Sequence, residues 1–129
     1  MTNEYRINCT GDVVTGDTIK FTEAVFGGSH RKPKFLGERT IEADVLRDSY
    51  GAGKQQHTFS LRVLASTGLD PLTVGSETRR KARNVYRNGC WRVPWASQLD
   101  RLEILAEKHL RGGYARAIRA DRLAGEQCL

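Results

Sequence analysis

Apolar positions in the first two thirds of the chain recur at every second residue. In residues 17–26, DTIKFTEAVF, Ile19, Phe21 and Val25 alternate with Thr18, Lys20 and Thr22, the period of a strand with one buried face. Gly16 before it and Gly27-Gly28 after it supply turns. Residues 29–37, SHRKPKFLG, are basic, contain Pro33 and predict an exposed loop. Alternation returns over residues 40–47 through Ile41, Ala43 and Val45, and again over residues 57–66 through Phe59, Leu61, Val63 and Ala65. These are a second and a third strand, separated by the glycine-containing stretch 49–56. After a turn-rich link at residues 66–78, residues 81–87 and 90–93 flank Asn88-Gly89, the dipeptide that favours a type I′ turn, and predict a hairpin.

From Pro94 the period changes. Ser97, with Asp100 three residues on, has nearly the spacing of a capping box, and Leu99, Leu102, Leu105 or Ala106, and His109 follow at steps of three to four. This predicts an amphipathic helix, broken or bent at Gly112-Gly113 and resumed over residues 114–124. The expected class is α+β in a single domain over residues 1–129. Residues 1–95 form a small antiparallel β-barrel or strongly bent sheet of about five strands, and residues 96–125 a C-terminal helical segment. The phrase GDTIKF at residues 16–21 resembles the opening strand of SH3-like barrels of the KOW and Tudor type. That resemblance implies an exposed rim and loops that contact nucleic acid or peptides. As a small basic chain it is also similar in kind to accessory proteins of phages and plasmids.

Charge sharpens the picture once it is located. The net charge is +6, yet residues 1–75 hold nine Lys/Arg against nine Asp/Glu, so the whole excess lies in residues 76–129. No run approaches the roughly 18 apolar residues of a membrane span, and the amino end, MTNEYRINCTGD, lacks the basic start and apolar middle of a signal peptide; the expected setting is the cytoplasm. Cys9, Cys90 and Cys128 form no CxxC pair and have no histidine at ligand spacing, which predicts reduced thiols rather than a disulfide framework or structural zinc. No metal or cofactor is expected.

The densest candidate chemistry is TRRKARNVYRNGCWRVPW, residues 78–95. Arg79, Arg80, Lys81, Arg83, Arg87 and Arg92 are interleaved with Tyr86, Trp91 and Trp95. Guanidinium groups bridge phosphate oxygens and aromatic faces stack on unpaired bases, so the mixture suits single-stranded or structured nucleic acid. The competing structural interpretation makes the aromatics core residues and the arginines a solvated face. A second basic feature is the row Arg116, Arg119 and Arg122, joined by Lys108 and Arg111, placed to follow a phosphate backbone or simply to solvate a helix. A third is the loop bearing His30, Arg31, Lys32 and Lys34.

The leading expectation is therefore a non-catalytic nucleic-acid-binding protein, with DNA and RNA both open. One alternative is a protein-interaction module or inhibitor of a mobile element, docking on a host protein complex or dimerising through Leu110, Tyr114 and Ile118 at four-residue steps. A second alternative is a small ribonuclease using Tyr50, Lys54 and His57. The Gly-Lys pair in YGAGKQQH is not a nucleotide-binding loop, because Gln55 stands where Ser or Thr is needed and the preceding glycine is misplaced.

Overall fold

The computed structural model describes residues 4–50 and 57–111. Alternation becomes strand where the pattern predicts it. β1 is Ile7–Asn8, β2 Thr18–Gly28, β3 Pro33–Tyr50, β4 His57–Gly68, β5 Glu77–Lys81 and β6 Cys90–Arg92; α1 is Ala82–Tyr86 and α2 covers residues 98–111. The six strands form one antiparallel sheet in the order β1-β6-β2-β3-β4-β5, so the sheet is open, with β1 and β5 at its edges. With the helix that follows, this is an α+β fold.

One face of the sheet carries the core. Ile19, Phe21, Ile41, Ala43, Val45, Phe59 and Leu61 are buried there with Val85, Cys9 and Cys90. Each of the large apolar side chains contributes roughly 1.5–3 kcal/mol by leaving water. The sheet curls around this cluster. β2 and β5 are separated by two strands, yet Arg80 of β5 donates to Glu23 of β2 at 2.8 Å. Shifts of register in the pairing of β2 and β3 and in that of β3 and β4 assist the bend, because an extra residue on one strand raises the local twist.

Several expectations are corrected. The loop over residues 29–37 is mostly strand: β3 starts at Pro33, opposite Gly28, and Phe35 pairs with Phe26 in an edge-to-face contact, leaving only residues 29–32 as the tip of a long hairpin. Proline is tolerated there because it is the first residue of the strand. The loop at 49–56 is likewise shorter, since β3 runs on through Tyr50; residues 51–56 are outside the described residues.

The hairpin around Asn88-Gly89 is not formed. Residues 82–86 are the helix α1, which buries Ala82 and Val85, one helical turn apart, against the core. The Gly89 N–H donates to the Tyr86 carbonyl at 3.1 Å, and Gly89 has φ +88°, so the dipeptide terminates a helix rather than joining two strands.

The face of α2 is also reversed. Ser97 accepts from the Asp100 N–H at 3.4 Å, as the cap requires, but Leu99, Leu102 and Leu110 are exposed, while Arg101 and Lys108 are buried. The helix docks through cations. Arg101 reaches the buried Asp17, and Lys108 donates to the Val13 carbonyl with its ammonium 5.4 Å from the Phe59 ring centroid. No helix among the described residues is long and apolar enough to cross a membrane. The Gly112-Gly113 break and the helix over residues 114–124 are outside the described residues.

Candidate functional site

On the outer face of the sheet, register brings unlike residues side by side. Asn8 pairs with Trp91, Trp91 with Lys20, and Lys20 with Glu42, across β1, β6, β2 and β3. Trp91 is the outward residue of β6, between the buried Cys90 and Arg92. Its ring lies against Gly89, where a Cβ would come within 2.6 Å of the indole. Glycine is thus required twice, by its positive φ and by the ring on top of it.

Trp91 and Tyr5 flank a cavity of about 290 Å³, lined also by Lys20, Thr22, Asn88 and Gly89. The Lys20 ammonium stands 5.9 Å from the Tyr5 ring centroid. Burial, followed by the charge of the Glu42 carboxylate, drives the Tyr5 hydroxyl well above its usual range, so Tyr5 stays neutral.

A second cavity, of about 200 Å³, continues from Asn88 along β2 and is lined by Glu23, Ala24, Phe26, Asn84 and Arg87. Phe26 then borders a third, of about 500 Å³, formed with Gly27, Gly28, Ser29, His30 and Pro33 at the hairpin tip. β6 pairs with β2 from Ile19 as far as Phe21, and Asn88 caps the next carbonyl, that of Thr22, at 3.1 Å. The three cavities together form a trough beside β2 from Lys20 to Gly28, about 26 Å at the rise of a strand.

Electrostatics favour anions on one side of this trough. Arg83 and Arg87, at i and i+4 around α1, are exposed and make no ion pair among the described residues; neither do Arg31, Lys32 and Lys34 at the tip. Glu23 lines the trough but is matched by two arginines, Arg39 at 2.7 Å and Arg80 at 2.8 Å. Burial works to raise its pKa, and the hydrogen bonds from Arg80 and Arg39 more than offset this, holding the carboxyl below its usual range. On the other side, β3 presents Glu38, Glu42 and Asp44, in register with Ala24, Lys20 and Thr18.

The expected interface residues are thus divided. Arg87 and Trp91 line the trough, Arg83 is exposed on α1 four residues before Arg87, and Arg31, Lys32 and Lys34 stand at the hairpin tip. Arg79 belongs elsewhere, on the outer face of β5, where it lines a separate cavity of about 390 Å³ with Arg47 and Ser60; Lys81, also on β5, is half-buried. Three residues are withdrawn from the surface. Arg80 is committed to Glu23, Arg92 is 5% exposed, and Tyr86 packs its ring on Phe59 and accepts from the Val13 N–H at 3.1 Å. Residues 79–81 belong to the strand β5.

Lys108 and Arg111 are helix-docking residues, Arg111 pairing with Asp48 at 3.1 Å. Asp48 also meets His57 at 3.3 Å. Arg116, Arg119, Arg122, Tyr114, Ile118, Cys128 and Lys54 are outside the described residues; of the proposed partner face only Leu110 is placed, exposed on α2. Sequence reasoning misses Tyr5, Lys20 and Phe26 as site residues. Lys20 and Phe26 stand out in the sequence only as strand positions, and Tyr5 carries no local pattern.

Comparison with known proteins extends this. The chain is 32% identical over 130 residues to zinc finger CCCH domain-containing protein 62 of Oryza sativa subsp. japonica. The match covers 97% of this chain and 18% of that protein, so the chain spans under a fifth of the relative's length. No solved structure matches the chain. The family model described as "Domain of unknown function (DUF7699)" matches residues 9–95, from the first buried cysteine through Trp95, and the chain belongs to that family.

Proposed function

We propose that this domain binds nucleic acid without catalysis, along the α1 side of the β2 trough. The carrying observation is that Arg87, which lines the groove, and Arg83, four residues earlier on α1, are exposed without a carboxylate among the described residues, and that the groove leads from Tyr5 and Trp91 to the basic hairpin tip. Arginines in that state keep their full capacity for bidentate phosphate contacts. The acidic row Glu38, Glu42 and Asp44 repels a polyanion from the β3 side and confines it to α1 and β6. Zinc-built modules commonly read nucleic acid, and the rice relative is named for one. The SH3-like resemblance, in which rim and loops make the contacts, points the same way.

Fluorescence anisotropy with labelled DNA and RNA at two or more salt concentrations tests this. The affinity is expected to fall steeply with salt, and in Arg83→Ala/Arg87→Ala the log–log slope shrinks by about 1.5, roughly 0.7–0.9 for each phosphate that is no longer neutralised. Binding indifferent to salt, or unchanged in the double variant, would remove the proposal.

A further inference from the structure

The Tyr5–Trp91 cavity raises the question of what enters it. It is lined by the two aromatic residues Tyr5 and Trp91 and by Lys20. Two such rings also occur in sites that capture quaternary or methylated ammonium groups. Here that ligand class is disfavoured, because Lys20 already supplies the cation over the Tyr5 ring and a second would be repelled. A flat, uncharged or weakly anionic group is favoured instead.

Resting on the nucleic-acid reading, we infer that the Tyr5–Trp91 cavity is a stacking slot for one unpaired base, and that the domain prefers single-stranded over duplex nucleic acid. Trp91 is 39% exposed although its ring is seated on Gly89, so it is held in a fixed position with part of its surface offered to solvent. Tyr5 lines the opposite side of the cavity, with the Lys20 ammonium 5.9 Å from its ring centroid. Lys20, in register with Trp91, lines the same cavity, placed to meet a base carbonyl or a phosphate oxygen. The Asn88 amide lies at the exit toward Arg87, with its Nδ2 donating to the Thr22 carbonyl and its Oδ1 not used in any hydrogen bond among the described residues.

A duplex keeps its bases paired and stacked, and presents no free base face to the rings of Tyr5 and Trp91. A single strand can place one base between the rings while its backbone follows β2 past Arg87 to Phe26 and the hairpin tip. Stacking of this kind is sequence-tolerant, because every base has a π-face. The domain is therefore expected to distinguish strandedness more than sequence.

The two tryptophans make the slot directly observable. Trp95 is tied to Asp17 through its indole N–H at 2.6 Å, so it serves as a fixed background, whereas Trp91 reports on the slot. The 129-residue chain is titrated with a single-stranded oligonucleotide and with its duplex, following tryptophan emission and, in parallel, the anisotropy of the labelled nucleic acid. Single strands are expected to quench Trp91, the duplex to leave it unchanged, and Trp91→Ala to weaken single-strand binding by roughly tenfold or more while leaving duplex binding as it was. Trp91→Phe, which retains a ring, is expected to restore most of that affinity. Salt-dependent binding with no quenching, and with strand and duplex bound equally, would overturn the slot and leave the nucleic-acid reading standing. No salt-dependent binding to either form would overturn both.

Discussion

Asp17 and Arg101, 84 residues apart in sequence, meet in a two-pronged ion pair: Nε donates to Oδ1 at 2.9 Å and an Nη to Oδ2 at 3.0 Å, with both side chains almost wholly buried. The same carboxylate accepts from the Trp95 indole and the Val14 N–H, so one acid holds the turn before β2, the segment after β6 and the helix α2. Removing one member of such a pair leaves a buried charge and costs about 3–5 kcal/mol. Arg101→Met is therefore expected to lower the urea midpoint sharply. Asp17→Asn/Arg101→Met is expected to be less destabilised than the sum of its single variants, because neither charge is then left alone. Strict additivity would mean that the two residues stabilise the fold separately.

The pH dependence has a definite sign. Burial works to raise the pKa of Asp48, but hydrogen bonds from His57, Arg111 and Thr15 outweigh it and hold the carboxyl well below its usual range. Glu23 is held below its usual range in the same sense by Arg80 and Arg39. A depressed folded-state pKa gives stability that is present above the unfolded value, 3.8 for Asp48 and 4.5 for Glu23, and is lost as pH falls toward the folded one. Chemical denaturation at stepped pH should show stability declining from about pH 5 downward. Glu23→Gln and Asp48→Asn should each flatten that decline; a decline of unchanged steepness in both variants would place the acid sensitivity elsewhere.

Most of the strand positions are legible in the sequence because a half-buried strand has to alternate, and Ile19/Phe21, Ile41/Ala43/Val45 and Phe59/Leu61/Val63 do so. The departures have local causes. Ala82 and Val85 are spaced as one helical turn, but a five-residue helix is too short for that period to stand out against the neighbouring strands. Residues 33–37 lack alternation because the far end of the β2–β3 hairpin projects beyond the core and buries neither face. α2 buries a different face from the one its leucines predict, because its docking positions are Arg101 and Lys108, whose partners lie in the turn before β2 and cannot be located without the fold. The same limit applies to the slot. Trp91 stands out in an arginine-rich segment, but Lys20 and Tyr5 join it only through strand register.

Gly89 and Gly75 allow the seating of Trp91 to be measured. Both have positive φ, +88° and +87°, so alanine at either costs about 1–2 kcal/mol for the backbone alone. At Gly75 a new Cβ meets nothing within 4 Å, whereas at Gly89 it meets the Trp91 ring. Gly89→Ala is expected to be more destabilising than Gly75→Ala and, alone of the two, to shift the tryptophan emission spectrum. Equal losses of stability with identical spectra would show that the ring moves away from Gly89 freely.

Cys9 and Cys90 supply a last prediction. The Cys9 thiol donates to the Cys90 sulfur at 3.5 Å, and both are buried on the inner side of the sheet, where the Cys9 N–H also donates to the Cys90 carbonyl. Sharing a proton with the adjacent Cys9 sulfur, then burial, drives the Cys90 thiol far above its usual range, so almost no thiolate exists at this position at neutral or mildly alkaline pH. Alkylation requires the thiolate, and it also requires access, which the fold denies until the β1–β6 edge opens. Iodoacetamide at pH 8 is therefore expected to label Cys9 and Cys90 at least about tenfold more slowly than free glutathione in the native protein, and at a comparable rate in denaturant. Peptide mass spectrometry separates the two sites. Rapid labelling of Cys90 in the native state would mean that the β1–β6 edge opens readily, and the Trp91 wall of the groove, which is carried on β6, would then be mobile rather than preformed.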